Sequence, residues 1–168
     1  MMAETLSEGK RKKMEEIMPN WCECNLIIKG KGKELKKFQA FAKEGKSVLS
    51  FNKFIPYPEH FCKQNEQAKK IKKGCIKDGF NLGGCEWRAQ SWGTKWDLDD
   101  NTSVHLDDKS LIYQFDTAWS PPAPVVFAMS SKFPLLTFML KYDEPGNRFK
   151  GKYKVKAGKV LQKQYTEY

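Results

Sequence analysis

The stretch Gln90-Ser-Trp-Gly-Thr-Lys-Trp-Asp97 places two tryptophans, a glycine, a lysine and an aspartate close together in the chain. Surface loops seldom carry tryptophans this closely spaced, because each brings a large apolar area and an indole N–H that needs a partner when buried. A second stretch, Thr117-Ala-Trp-Ser-Pro-Pro122, has a similar mixture of aromatic and small polar residues. We therefore expect the two stretches to meet in the folded chain and to organise the segments around them.

The composition favours one domain with an aromatic core and a basic surface. A chain of 168 residues is long enough to bury a sizeable core. Aromatic residues make up 13% of it, so Phe and Trp are expected to build much of that core. The net charge of +10 raises the expectation of a polyanionic partner, although such a charge also serves solubility.

The cysteines indicate free thiols in a reducing cytoplasm, because the chain lacks a secretory hydrophobic region. Their spacings fit neither an iron–sulfur cluster nor a zinc site. They are Cys22, Cys24, Cys62, Cys75 and Cys85. No run approaches 18 apolar residues, so no membrane span is expected. We expect no cofactor and no metal.

An acidic run begins at Asp97. Asp99, Asn101 and Ser103 follow at every second position, a spacing similar to the opening of a calcium loop. A calcium loop of the EF-hand type needs Gly at its sixth position and usually Glu at its twelfth. Thr and Asp stand at those positions here. A solvated turn is the preferred interpretation, and a divalent-cation site is the alternative.

Hydrophobic periodicity predicts an α+β fold. Cys22, Cys24, Leu26 and Ile28 alternate with other residues as on one face of a strand. A strand followed by an amphipathic helix is the opening of a split β-α-β unit. The other predicted elements are helices over 33–44 and 64–77, a strand over 110–119, a helix capped by Ser120 with Pro121 at its first position, and strands over 135–142, 148–156 and 159–165.

This order of elements is most economically built as a ferredoxin-like α+β sandwich. We expect a mostly antiparallel sheet with two main helices on one face and an inserted helix and loop segment at about residues 48–103. Residues 1–17 are polar and contain the run Lys10-Arg-Lys-Lys13, which predicts a flexible basic extension. Residues 18–168 are expected to form the single domain.

The chain resembles the YubB ferredoxin-like family of plasmid- and phage-borne proteins over about residues 18–158. The stretches that carry the resemblance are Met18-Pro-Asn-Trp-Cys22, Asn25-Leu-Ile-Ile-Lys-Gly30, Trp92-Gly-Thr-Lys-Trp-Asp97, Thr117-Ala-Trp-Ser-Pro-Pro122, Tyr142-Asp-Glu-Pro-Gly146 and Phe149-Lys-Gly151. The resemblance implies a ferredoxin-like fold, a mobile-element origin and a usual start near Met18. It implies no reaction, because the family carries no established activity to transfer.

The tryptophan stretches form the first candidate site, an aromatic-lined cleft for a flat ligand such as a nucleobase. Its expected walls and polar contacts are Trp92, Gly93, Thr94, Lys95, Trp96, Asp97, Thr117, Trp119 and Ser120. The structural alternative is that the tryptophans plug the end of the sheet, that the glycine allows a tight turn, and that the lysine pairs with the aspartate. The two interpretations are evenly balanced.

The second candidate site is the strand near the C-terminal end, where five basic residues alternate and therefore share one face. They are Arg148, Lys150, Lys152, Lys154 and Lys156. Residues on one face of a strand lie roughly 6.6 Å apart, a spacing that suits the phosphates of an extended nucleic-acid backbone. The alternative is edge protection, because lysines on an exposed edge strand oppose pairing with other sheets.

Three functions remain open from the sequence. The favoured one is a non-catalytic module that binds nucleic acid or a nucleotide. The second is a protein-interaction or inhibitor module that acts on a host factor. The third is an enzyme that uses Lys95 and Asp97, although the chain contains no P-loop, nucleophile elbow or zinc-protease motif.

Overall fold

The computed structural model of the chain describes residues 19–70 and 79–168. The predicted basic extension 1–17 and the second half of the predicted helix 64–77 lie outside the described residues. The strands are β1 (Trp21–Lys29), β2 (Ser103–Leu106), β3 (Ser110–Ala118), β4 (Thr137–Glu144), β5 (Phe149–Lys156) and β6 (Lys159–Glu167). The helices are α1 (Gly32–Ala42), α2 (Glu59–Lys70), α3 (Cys85–Ser91) and α4 (Ala123–Lys132), and an irregular turn, Phe80–Gly84, leads into α3.

The strands form one antiparallel sheet in the order β2-β3-β1-β4-β5-β6. The first part of that order, together with α1 and α4 as the connections, is the ferredoxin-like β-α-β-β-α-β arrangement. β5 and β6 extend the sheet beyond β4 as two further antiparallel strands. The predicted ferredoxin-like α+β fold with an antiparallel sheet is confirmed.

The strict alternation in β1 decides which face of the sheet is covered. Cys22, Leu26 and Ile28 are fully buried, whereas Glu23 and Lys29 on the opposite face are exposed. Both α1 and α4 pack on the buried face, because Phe38 contacts Tyr113 and Phe138, and Phe127 contacts Tyr153. The other face of the sheet carries no helix among the described residues, and we call it the open face.

The segment between α1 and β2 adds to the same core. Leu49, Phe51 and Trp92 from this segment are buried with the sheet residues. It also contains α2 and α3, which precede the edge strand β2. None of the helices in the described part of the chain is long and apolar enough to cross a membrane.

The prediction that Ser120 caps the fourth helix is wrong. α4 begins at Ala123 without a side-chain cap. Ser120 Oγ instead donates a hydrogen bond to Gly93 O at 2.6 Å. The serine is therefore used to join two loops, and the prolines that follow it hold the chain outside the helix.

Several predicted element ends also shift. α2 begins at Glu59 instead of residue 64, directly after Pro58. β4 begins at Thr137, and Leu135 before it is 69% exposed. β6 continues to Glu167, two residues beyond its predicted end.

We predict that Phe38→Ala lowers the free energy of unfolding by about 3–5 kcal/mol. The Phe38 side chain is fully buried, and its ring centroid lies 5.1 Å from that of Phe133 and 5.4 Å from that of Phe54. Urea unfolding at equilibrium measures the change. The neighbouring exposed Lys36→Ala should change the value by less than about 0.5 kcal/mol. Equal losses in the two variants would contradict the central place of Phe38.

Candidate functional site

The two tryptophan stretches lie together, as the sequence predicts. Besides the Ser120–Gly93 bond, Thr94 Oγ1 donates to Ala118 O at 3.0 Å. Gly93 has φ +85°, and a Cβ atom there would lie 2.6 Å from Pro124 Cδ. Glycine is therefore needed both for the backbone conformation and for the close approach of the two loops.

Trp92 is a plug in the core and does not wall an open cleft. Its side chain is only 2% exposed, and its indole N–H donates to Ile55 O at 2.8 Å. The rings of Phe51, Tyr57 and Trp87 surround it. Trp92 therefore matches the structural alternative, a tryptophan that plugs the end of the sheet, because its ring is buried and its N–H has a partner inside the protein.

Asp97 anchors a loop of the insertion and does not form an ion pair with Lys95. Its carboxylate accepts hydrogen bonds from the backbone N–H of Phe51 at 2.7 Å and of Asn52 at 3.1 Å, and from Ser50 Oγ at 2.8 Å. It also accepts one from the backbone N–H of Leu98. Four donors therefore occupy this carboxylate, and the ion pairs of the described residues do not include Asp97.

The remaining members of the predicted cleft are spread out. Lys95 Nζ lies 4.7 Å from the ring centroid of Trp96. Thr117 is buried and donates to Ser120 O at 2.8 Å. Trp119 is 45% exposed with φ +70°, and no ring contact joins it to Trp92 or Trp96 in the part of the chain that the structure describes.

Trp96 instead meets Trp21, a residue that the sequence reasoning left out of the site. Their ring centroids are 6.1 Å apart, at an angle of 41°. Trp21 opens β1 on the open face and is 45% exposed. Sequence reasoning missed it because the pairing brings residues far apart in the chain together at the end of the sheet. The feature that could have indicated Trp21 is its position as the first residue of the alternating strand.

Two neighbouring cavities make a groove beside Trp21, which we call the Trp21 groove. The larger has a volume of about 450 Å³, and the smaller has a volume of about 240 Å³. Both are lined by Trp21, Asp99 and Asp116. Gln114 and Ser103 line the larger one, and Trp96 lines the smaller. The groove is therefore aromatic and acidic, and it lies at one end of the open face.

The lysines of β5 do not lie on an edge strand. β5 pairs with β4 on one side and with β6 on the other. Lys152 and Lys154 occupy the face of β5 that continues the open face. Edge protection therefore does not account for the basic alternation, because the edge belongs to β6.

Further lysines on neighbouring strands enlarge the basic area. Lys141 of β4 stands directly opposite Lys152, and Lys159 of β6 stands opposite Lys156. Like charges placed directly opposite each other destabilise a sheet. In residues 19–70 and 79–168, the ion pairs are Lys37–Glu34 and Lys63–Glu59, both on helices. We call the five lysines of this area the lysine patch: Lys141, Lys152, Lys154, Lys156 and Lys159.

The first two basic residues of the predicted row differ from the others. Arg148 lies in the turn before β5 with φ +57°, and its carbonyl accepts a hydrogen bond from the backbone N–H of Tyr168. Lys150 Nζ lies 4.9 Å from the Tyr168 ring centroid, and the hydroxyl of that tyrosine donates to Asp143. These two residues are held by local contacts, whereas the lysine patch continues beyond them.

A row of carboxylates crosses the open face next to the Trp21 groove. Asp116, Glu23 and Asp143 stand directly opposite one another on β3, β1 and β4. The open face therefore carries both charges: an acidic row runs from β3 across β1 to Asp143 of β4, and the lysine patch lies on β4, β5 and β6.

The described residues contain no group of three or more His, Cys, Asp or Glu side chains arranged to hold a metal ion. In the acidic run, the Asp99 carboxylate accepts hydrogen bonds from the backbone and side-chain nitrogens of Asn101, each at 3.0 Å, as in a closed turn. Cys22 and Cys24 are buried, and burial raises the pKa of the Cys24 thiol well above its usual value. That thiol is held neutral in the core.

Comparisons with known proteins agree on the fold. Residues 91–168 match a family model described as the ferredoxin-like domain in Api92-like protein. The crystal structure of a protein api92 from Yersinia pseudotuberculosis is similar to this chain, with a TM-score of 0.57 and 12% identity. The match covers 90% of this chain and 98% of that chain. No curated protein matches the chain in sequence. The resemblance to the YubB family stays a prediction.

We predict that Asp97→Ala lowers the free energy of unfolding by about 2–4 kcal/mol, because it leaves several donors of the insertion without their acceptor. Thermal or urea unfolding measures the loss. Asp100→Ala is the matched control, since Asp100 is an exposed carboxylate three residues further on. A loss no larger than that of the control would contradict the anchoring role of Asp97.

Proposed function

We propose that this chain is a non-catalytic module that binds single-stranded nucleic acid along the open face of its sheet. The observation that carries the proposal is the lysine patch on paired strands, without acidic partners among the described residues. The overall charge of +10 is in keeping with a polyanionic partner.

The arrangement of the lysine patch supports a phosphate backbone as the ligand. Lysines along β5 repeat at roughly 6.6 Å, and those on neighbouring strands are about 4.8 Å apart. In the free protein Lys141 repels Lys152, which stands opposite it, and Lys156 repels Lys159 in the same way. Phosphates bound between them would relieve that repulsion and release counterions into solution.

The shape of the surface favours a single strand over a duplex. The open face has no covering helix in the described part, so an extended chain can lie across several strands. Exposed aromatic rings provide stacking surfaces for unpaired bases, and Trp21 supplies one at the end of this face. A duplex would keep its bases away from that ring.

The other two functions have less support. Acid–base catalysis by Lys95 and Asp97 conflicts with the hydrogen bonds that occupy the Asp97 carboxylate. A protein partner on the same face remains the competing outcome of the binding test. A cytoplasmic location and a mobile-element origin remain predictions from the sequence.

Fluorescence anisotropy with labelled single- and double-stranded DNA and RNA of equal length tests the proposal, from low salt to above physiological salt. We predict micromolar or tighter binding of single strands that survives physiological salt and weakens steeply above it. The double variant Lys152→Glu/Lys154→Glu should bind at least about tenfold more weakly. The slope of the logarithm of its binding constant against the logarithm of the salt concentration should become shallower by about 1.4, the amount expected for two lost phosphate contacts.

The matched control is Lys33→Glu/Lys36→Glu, which makes the same charge change at exposed positions on α1. This variant should bind nearly as well as the wild type. Equal weakening by the two double variants would mean that only net charge matters. Binding that disappears at physiological salt would contradict the proposal and favour a host protein as the partner.

A further inference from the structure

We propose that the Trp21 groove accepts one unpaired guanine base, stacked on Trp21 and read by Asp116 and Gln114. This inference rests on the proposed binding of single-stranded nucleic acid and names the base that it would select. It goes beyond the lysine patch, because phosphate contacts position a strand but carry no base information.

Trp21 is suited to be the stacking wall. It is 45% exposed although it lies in a strand of the sheet, and Trp96 packs on it with a centroid distance of 6.1 Å. Trp96 therefore supports the ring while leaving nearly half of Trp21 accessible. The larger cavity beside Trp21, about 450 Å³, is of the size range of small-ligand pockets.

Asp116 supplies acceptors at the right place. It lies on β3, lines both cavities with Trp21, and is exposed. Its carboxylate has no hydrogen bond or ion pair among residues 19–70 and 79–168. A carboxylate accepts hydrogen bonds only, and its two oxygens can receive two parallel N–H groups. The N1–H and N2–H of guanine are such a pair.

Gln114 supplies the complementary donor. It lies two residues before Asp116 on the same face of β3 and lines the larger cavity. Its Oε1 accepts a hydrogen bond from Ser103 Oγ at 3.3 Å, which leaves the amide nitrogen as the free end of the side chain. That nitrogen can donate to guanine O6, so the two side chains together match the three groups on the Watson–Crick edge of guanine.

The same groups disfavour the other bases. Adenine and cytosine present an unprotonated ring nitrogen at the centre of this edge, which a carboxylate repels. Uracil and thymine present one N–H between two carbonyl oxygens, so one oxygen would face the carboxylate. Inosine keeps N1–H and O6 but lacks the N2 amino group, and it should bind between guanine and adenine.

The charges on the open face fit this placement. The row of Asp116, Glu23 and Asp143 repels phosphate from the groove, so the neutral base is the part that enters. The lysine patch begins on β4, one strand beyond β1, and can hold the neighbouring phosphates. A groove of this kind could instead hold the cationic side chain of a peptide, and the experiment below separates the two ligands.

The experiment compares uridine 12-mers that carry one central G, inosine or A, by anisotropy on the full chain. We expect the wild type to bind the G oligonucleotide about tenfold more tightly than the A oligonucleotide, with inosine between them. Asp116→Asn should reduce the G-to-A ratio to about one, whereas Trp21→Ala should weaken the G oligonucleotide by roughly tenfold. Glu23→Gln is the control, because it removes a neighbouring carboxylate that does not line the larger cavity.

Glu23→Gln should raise the affinity for all three oligonucleotides alike and leave the G-to-A ratio unchanged. If Asp116 acted only through structure or electrostatics, Asp116→Asn would likewise leave the G-to-A ratio unchanged, and that result would overturn the inference. Tight binding of all three oligonucleotides without preference would also overturn it, while the proposed function would stand.

A second measurement keeps the groove testable if no oligonucleotide binds. The indole N–H resonance of Trp21 is followed by NMR during titration with guanosine monophosphate, adenosine monophosphate and an arginine-rich peptide. A shift with the guanine nucleotide alone supports the inference, and its loss in Asp116→Asn strengthens it. No shift with that nucleotide, or a shift caused only by the peptide, overturns it.

Discussion

The alternation of β1 is the constraint on which the rest of the structure depends. This strand lies between β3 and β4, so its residues set the register for both neighbours. Its buried face of small and aliphatic side chains requires cover, and α1 and α4 lie on that face of the sheet. Phe38 of α1 contacts Tyr113 and Phe138, and Phe127 of α4 contacts Tyr153. Its other face mixes Glu23, Asn25 and Lys29 with Trp21 and Ile27, and no helix of the described part covers it. One strand thus decides both where the core lies and which face of the sheet stays uncovered.

The insertion depends on that arrangement and also completes it. Trp92 fills the end of the core, Asp97 ties the loop around Phe51 to the stretch that follows α3, and Gly93 lets the loop before α4 approach closely. The most conspicuous residues of the tryptophan stretch, Trp92, Gly93 and Asp97, thus have structural roles. The candidate site lies beside them, where Trp96 contacts Trp21 at the end of the open face.

The fold was largely predictable from sequence because it depends on local periodicity. Alternation from Cys22 to Ile28 and the helical spacing of Leu35 and Phe38 each describe one element without reference to the others. The site was less predictable because it depends on pairing. Nothing local indicates that Trp96 meets Trp21, or that Lys152 stands opposite Lys141. The same limit explains the wrong prediction for Ser120. Its hydroxyl donates to the carbonyl of Gly93, 27 residues earlier in the chain, instead of capping the helix that follows.

The outermost strand has a consequence of its own. Nearly all residues of β6 are exposed, so backbone hydrogen bonds to β5 hold it in place with little help from buried side chains. Segments of that kind open locally at a small cost compared with global unfolding. When β6 separates, β5 becomes the border of the sheet, and its lysines then stand along an edge strand. The lysines of this strand thus discourage fibre-like association in the opened state.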